Sequence, residues 1–219
     1  MHSARAIAVR RLAAFALDWL VAVLWGGVVF AAVMIATGGN PPRPENPWRG
    51  QAIGFVFMTV PVTLYFALCE SSAMRASLGK RTLGLVVTRE TGERLLFGAA
   101  LLRSAAKFVP WEFGHMVAQQ AAFSGEGGFP GWVWGPAAVA LVGPAWWVLS
   151  MIATGRTPYD RWALARIVPS TDLADRSEMP ALAAQHPVAA NGAPRPGATT
   201  NVASGQPAPC RAWPGADSG

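Results

Sequence analysis

Three long stretches of the chain show neither the period-2 nor the period-3.6 mixture of polar and apolar positions that marks a soluble element. From Leu12 to Thr37 every residue is apolar, small or aromatic except one charge, Asp18. About 20 apolar residues at about 1.5 Å each cross the hydrocarbon core of a bilayer, so residues 12–36 predict a first membrane span. A second run, QAIGFVFMTVPVTLYFALC, predicts a span over 51–69. Pro61 lies inside it and predicts a kink whose freed carbonyl is satisfied by a neighbouring group. GWVWGPAAVALVGPAWWVLSMIAT predicts a further span over 131–154. Between the first two, GGNPPRPENPWRG breaks any helix and reads as a short external connection.

The remaining segments are more polar. Residues 70–107 carry seven basic side chains (Arg75, Lys80, Arg81, Arg89, Arg94, Arg103, Lys107) against three acids (Glu70, Glu90, Glu93). Cytoplasmic loops are enriched in Lys and Arg, which places this loop inside. Within it, LGLVVT-RETGE-RLL predicts a small β-hairpin turning at Gly92. Leu96 to Lys107 follows with helical periodicity and an i,i+4 pair, Arg103 and Lys107, the pattern of an amphipathic helix at the membrane interface. Residues 108–123, FVPWEFGHMVAQQAAF, are short and polar for a span. Yet Arg156, Arg161 and Arg166 follow the last span and belong inside, so orientation favours four crossings with 108–123 shielded as the third. A re-entrant segment is the alternative. The predicted fold class is an all-α membrane protein: a polytopic helical bundle of about four spans with a small cytoplasmic β-hairpin and an interfacial amphipathic helix. A basic arm, residues 1–11, precedes the transmembrane domain, 12–168. The Ala-, Pro- and Gly-rich tail, 169–219, reads as disordered.

Composition sharpens this picture. The chain is 52% hydrophobic and 14% charged, well below the roughly 25% charged residues of an average soluble domain. The net charge of +6 sits beside apolar spans. It therefore predicts contact with anionic lipid at the cytoplasmic face, and no nucleic acid. Cys69 and Cys210 offer neither a disulfide framework nor metal-ligand spacing. The first span is too long for a secretory signal and reads as retained. No metal or cofactor is implied. GKR-T lacks the upstream glycine of a phosphate loop, and no H-E-x-x-H, CxxC or G-x-S-x-G occurs, so an enzyme is not expected.

Asp18 is the anomaly. A carboxylate near mid-span costs about 2.5–3.5 kcal/mol on insertion scales, so a partner must offset it. Arg11 lies on the same helical face, but about 10 Å of rise separates them and a closer partner from another helix is expected. Asp18 reads as an interhelical hydrogen-bonding group, as a proton- or cation-binding carboxylate, or as a headgroup-zone acid. Glu112, His115 and Gln119 recur at i,i+3,i+7 and form one polar stripe, able to relay protons or to satisfy each other. Glu70 closes the second span, Lys80 and Arg81 lie in SLGKRTLGL, and Asp160 follows the last span between Arg156 and Arg161.

Taken together, Arg11 before the first span, Asp18 inside it, the central SLGKRTLGLVV, and the closing YDRWALARIV resemble the RDD family of small bacterial membrane proteins. The resemblance covers about residues 8–168. It implies that Arg11 (or Arg10), Asp18 and Asp160 are the arginine and two aspartates for which that family is named. Tyr159 stands where the family usually shows histidine, and Ala165-Arg166 where it shows Gly-Thr. It also implies a multi-pass protein of the bacterial inner membrane; the arginines beside the spans place both termini on the cytoplasmic side. The expected function is a small transporter or cation/proton exchanger using intramembrane carboxylates. The rival is a membrane scaffold or accessory subunit, working as a homo-oligomer or with a membrane-protein partner. With Arg11, Lys80-Arg81 and Asp160 on one face, Asp160 is expected to pair with Arg11 or the LGKR element, and Ile167-Val168 to add a strand to Leu85–Thr88. If Arg11 and Asp160 touch, Arg11→Asp combined with Asp160→Arg is expected to restore folding, and no rescue would count against the contact.

Overall fold

The computed structural model of the chain describes residues 4–173; the tail predicted to be disordered lies outside the described residues beyond that point. Helix α1 spans Ala4–Ala36. Helix α2 (Pro47–Gly54), a π-helical turn (Phe55–Thr59) and α3 (Val60–Ser71) run on as one rod. A short α4 (Leu78–Thr82) and strand β1 (Leu85–Arg89) lead into α5 (Phe97–Ser124), α6 (Trp134–Thr154), a short α7 (Pro158–Trp162) and strand β2 (Ala165–Pro169). Among the described residues, three helical stretches are long and apolar enough to cross a membrane: Ala6–Ala36, Pro47–Ser71 and Gly131–Thr154.

Local chemistry explains the boundaries. Asn46 caps α2 by accepting from the Arg49 amide at 2.9 Å, and Pro47 occupies the first helical position, where no amide is needed. Gly155, in the left-handed region at φ +71°, ends α6. Pro61 explains the π turn. A proline ring clashes with the carbonyl four residues earlier and cannot hydrogen-bond to it. That carbonyl belongs to Phe57, inside the π turn, where the helix widens. The Trp25 indole of α1 donates to it at 2.8 Å. A backbone group that lipid could not satisfy is thus satisfied across a helix interface.

Two sequence-based expectations need correcting. The first is the separation of an interfacial helix, 96–107, from a polar third span, 108–123. The two are one unbroken helix, α5, of 28 residues. It contains no reversal, as a re-entrant segment would. Its length suffices to cross a bilayer, at about 1.5 Å per residue, although it is more polar than the three apolar stretches. The second is the local hairpin. The turn at Gly92 forms, with the Arg89 amide donating to Glu93 at 2.9 Å, but beyond it only Thr88 and Arg94 bridge. Leu95 turns into the core and α5 begins at Phe97, which leaves no room for a second strand. The main partner of β1 is β2, antiparallel, with Val86 opposite Val168 and Val87 opposite Ile167.

Two cores result among the described residues. One joins the sheet to the bundle through Ala67, Val87, Leu95, Ala100, Ala163 and Ala165. The other lies among the helices around Ala22, Val62, Phe66 and Phe108, with Trp19 and Trp111 stacked edge to face at 4.8 Å. At the far end Trp48 stacks on Trp132 at 5.7 Å, where amphipathic rings suit a membrane–water boundary. Helix α1 leans on α4 at Gly79, where an added Cβ would lie 2.2 Å from the Ala14 carbonyl oxygen. Gly79→Ala is therefore expected to lower stability by about 1–3 kcal/mol or more, by prising α4 from α1. Gly98→Ala, at an exposed helical position with open space, should be neutral or gain up to about 1 kcal/mol. Thermal melts of the two variants in detergent check the contrast.

Candidate functional site: a buried chain of charges

Helices α1 and α5 begin at the end of the bundle where α3 and α6 finish. There the fold buries three acids, Asp18, Glu70 and Asp160, and four bases, Arg11, Lys80, Arg103 and Lys107. They form a continuous chain. Arg11 on α1 donates to Asp160 on α7 and, through Nη1, to the Gly155 carbonyl at 2.9 Å. Arg103 on α5 grips Asp160 Oδ1 with Nε at 2.8 Å and turns its other arm to Glu70 on α3. Lys80 on α4 donates to Glu70 Oε1 at 2.9 Å and to Ser77 at 3.1 Å, and lies 3.8 Å from Asp18. Asp18 accepts from the Ser77 hydroxyl at 2.6 Å and from the Gly79 amide at 2.8 Å. The carboxylate in the first span is thus satisfied by the SLGK segment rather than by Arg11.

Asp160 has a further duty. It is the third residue of α7, and its carboxylate accepts from the Thr157 amide at 3.2 Å while the Thr157 hydroxyl accepts from the Asp160 amide. This capping box fixes the carboxylate between Arg11 and Arg103. Burial would raise its proton affinity, but Arg103 and then Arg11 outweigh that and hold the carboxyl well below the usual carboxylate range. Tyr159 places its ring 5.4 Å from the Arg103 guanidinium carbon, a cation–π contact.

Arg103 and Lys107, predicted to face lipid headgroups, instead point inward with side-chain exposures of 1% and 6%. Arg81, predicted to belong with Lys80, is exposed and reaches the Met74 sulfur at 2.9 Å. Arg10 leaves the chain of charges and binds the Leu83 carbonyl at 3.1 Å.

Glu112 and His115 lie apart from this chain, farther along α5. The Glu112 carboxylate accepts from Thr59 and from the Gln51 amide at 2.6 Å. His115 Nδ1 is 3.8 Å from Glu112, with its ring against Trp111 at 4.4 Å. Gln119 packs over Gly50 rather than joining them. Two cavities, each of about 550 Å³, flank α5 here; His115 lines one and Glu112 the other.

A family model described as "RDD family" matches residues 5–164, most of the chain. The chain belongs to the RDD family. It is also 36% identical over 81 residues to YxaI, an uncharacterised protein of Bacillus subtilis strain 168; that alignment covers 34% of this chain and 52% of the relative. The chain thus spans about half the length of that curated relative. No solved structure matches it. In this RDD protein the arginine and two aspartates implied by the resemblance do not form a triad. Arg11 touches Asp160, whereas Asp18 is reached from Asp160 only through Arg103, Glu70 and Lys80.

The contact expected between Arg11 and Asp160 is present, but Arg103 shares the carboxylate. The exchange Arg11→Asp with Asp160→Arg therefore sets a second guanidinium against Arg103 and cannot rescue folding. Asp160→Asn is expected to cost about 3–5 kcal/mol at neutral pH, because two buried guanidinium groups lose the negative charge they share. A carboxyl whose folded pKa is depressed adds stability above its unfolded pKa, about 4, and loses it as pH falls toward the folded value. Melting temperature should therefore decline below about pH 4 in the wild type and less steeply in Asp160→Asn, measured by thermal melts across an acid series.

Proposed function

We propose that this RDD protein is a small proton-coupled transporter, of the cation/proton exchange kind, with Glu112 and His115 as its proton-binding pair. One observation carries the reading: Glu112 is held by groups that suit either protonation state. Thr59 and Gln51 are neutral donors to the carboxylate. The same hydroxyl and amide can accept from a protonated carboxyl, since an amide turned over presents its oxygen. Gln51 Oε1 is buried without a hydrogen-bond partner among the described residues, an acceptor that protonated Glu112 would satisfy. Asp18, Glu70 and Asp160 are different: Glu70 and Asp160 each face a buried guanidinium, and Asp18 accepts from a backbone amide that can only donate. The position of the pair supports the reading too. His115 lines the cavity on one side of α5 and Glu112 the cavity on the other. Among the described residues, the cavity lined by Glu112 has no basic group to repel a cation.

The orientation we propose puts the buried chain of charges at the cytoplasmic side of a bacterial inner membrane. Arg75, Arg81, Arg89, Arg94, Arg156, Arg161 and Arg166 lie in the segments at that end, against Arg43 and Arg49 at the other. Both ends of the membrane domain are then cytoplasmic, and α5 makes the fourth crossing.

A second reading, a membrane scaffold or accessory subunit without enzymatic activity, is favoured by the complete pairing of Asp18, Glu70 and Asp160, which suits a rigid structural clamp. Proteoliposomes loaded with a pH-sensitive dye separate the two. The exchange reading expects a response to a Na⁺, K⁺ or Li⁺ gradient that Glu112→Gln abolishes. A silent wild type, or an unchanged response in Glu112→Gln, removes it. A stoichiometric partner captured by crosslinking in native membranes then favours the scaffold.

A further inference from the structure

We propose that the cavity between α1, α5 and α6 is a binding site for an anionic phospholipid, with its phosphate at Lys107 and an acyl chain leading out toward the bilayer. The cavity, about 550 Å³, is in the range of small-molecule sites. Its inner end is lined by Arg11, Lys80, Arg103 and Lys107, and among the described residues no carboxylate lines it. Arg11, Lys80 and Arg103 commit their donors to Asp160, Glu70, Gly155 and Ser77. Lys107 does not. Its ammonium is buried, has no hydrogen-bond partner among the described residues, and lies 3.7 Å from the nearest Glu70 oxygen, above the Phe66 ring.

The buried set thus holds four bases against three acids, and Lys107 is the base with open donors. A buried ammonium is expected to find an anion. An oxyanion bearing several acceptors matches three N–H donors with neighbouring guanidinium groups.

The outer wall selects the source of that anion. Away from the charges the lining is apolar and aromatic, with Phe15, Trp19, Trp111 and Trp147. The cavity is bordered by exposed Leu12 and Phe15 and by Pro144, residues of helices apolar enough to span a membrane. A free phosphate gains nothing from such walls, whereas a lipid entering sideways meets apolar surface for its chain and charge for its head. His115 also lines this cavity, but the site is anchored on Lys107 and its test reads lipid retention, so its failure is distinguishable from failure of the exchange reading.

The test is retention of lipid by the purified full-length protein, read by native mass spectrometry after exchange into detergent with dioleoyl phosphatidylglycerol or dioleoyl phosphatidylcholine. The expected result is one phosphatidylglycerol retained in preference to phosphatidylcholine. Its affinity should fall about tenfold or more in Lys107→Met, and Lys107→Arg should preserve it. Lys107→Met leaves three bases facing three acids, so the fold is expected to persist. Ala140→Phe fills the apolar wall without touching a charge and should also reduce retention, which keeps the test decisive should the lysine variant misfold. Equal retention of phosphatidylcholine, unchanged retention in Ala140→Phe, or displacement of the lipid by millimolar inorganic phosphate overturns the proposal.

Discussion

The buried charges at one end of the bundle cannot be satisfied in pairs. Asp160 is shared by Arg11 and Arg103, Glu70 by Arg103 and Lys80, and Lys80 also faces Asp18. Each group's burial is tolerated only because its neighbours are in place, and those neighbours come from α1, α3, α4, α5 and α7. In lipid, where apolar packing supplies little preference for one helix arrangement over another, polar contacts of this kind discriminate between registers. A slip of α1 by one turn, about 5.4 Å, would carry Arg11 away from Asp160 and Asp18 away from Ser77 and Gly79. The chain of charges thus fixes where the helices meet, and small residues such as Gly79 set how closely.

The same demand recurs along the backbone. Pro61 removes a hydrogen bond within an apolar rod, the π turn opens the helix around Phe57, and Trp25 from the adjacent helix supplies the missing donor. Glu112 is satisfied in a comparable way by Thr59, from that same turn. One irregularity therefore serves two purposes: it relieves the proline and offers a side chain to the half-buried acid on α5. Irregular turns inside helices commonly coincide with functional positions.

Much of this was legible from residue patterns, and the failures have a physical reason. Asp18 is conspicuous because a lone carboxylate in an apolar run demands a partner, and the rise between it and Arg11 already pointed to another helix. Pro61 and its borrowed hydrogen bond follow from the same reasoning. Arg103 and Lys107 misled because an i,i+4 basic pair on an otherwise apolar helix looks the same whether it turns toward headgroups or toward buried acids. Counting the acids to be neutralised accounts for Arg103 but not for Lys107, the fourth base beside three acids. For β1 the expected partner Ile167-Val168 is present and the turn at Gly92 is real, but Leu95 is drawn into the core, so the local second strand of the hairpin does not form. Arg81 could not be distinguished from Lys80 by sequence, since which of two adjacent residues faces inward depends on how α4 meets α1.

The ladder between β1 and β2 has a consequence for biogenesis. Its two strands flank α5 and α6, and Asp160 lies just before the second strand. While the ribosome is still making α6, Arg11 and Arg103 have no aspartate to share and β1 has an open edge. The clasp closes only when the last turn and strand emerge. A chain that stops after α6, before Thr157, keeps all of its apolar helices yet loses its lock, because neither Asp160 nor the second strand has been made.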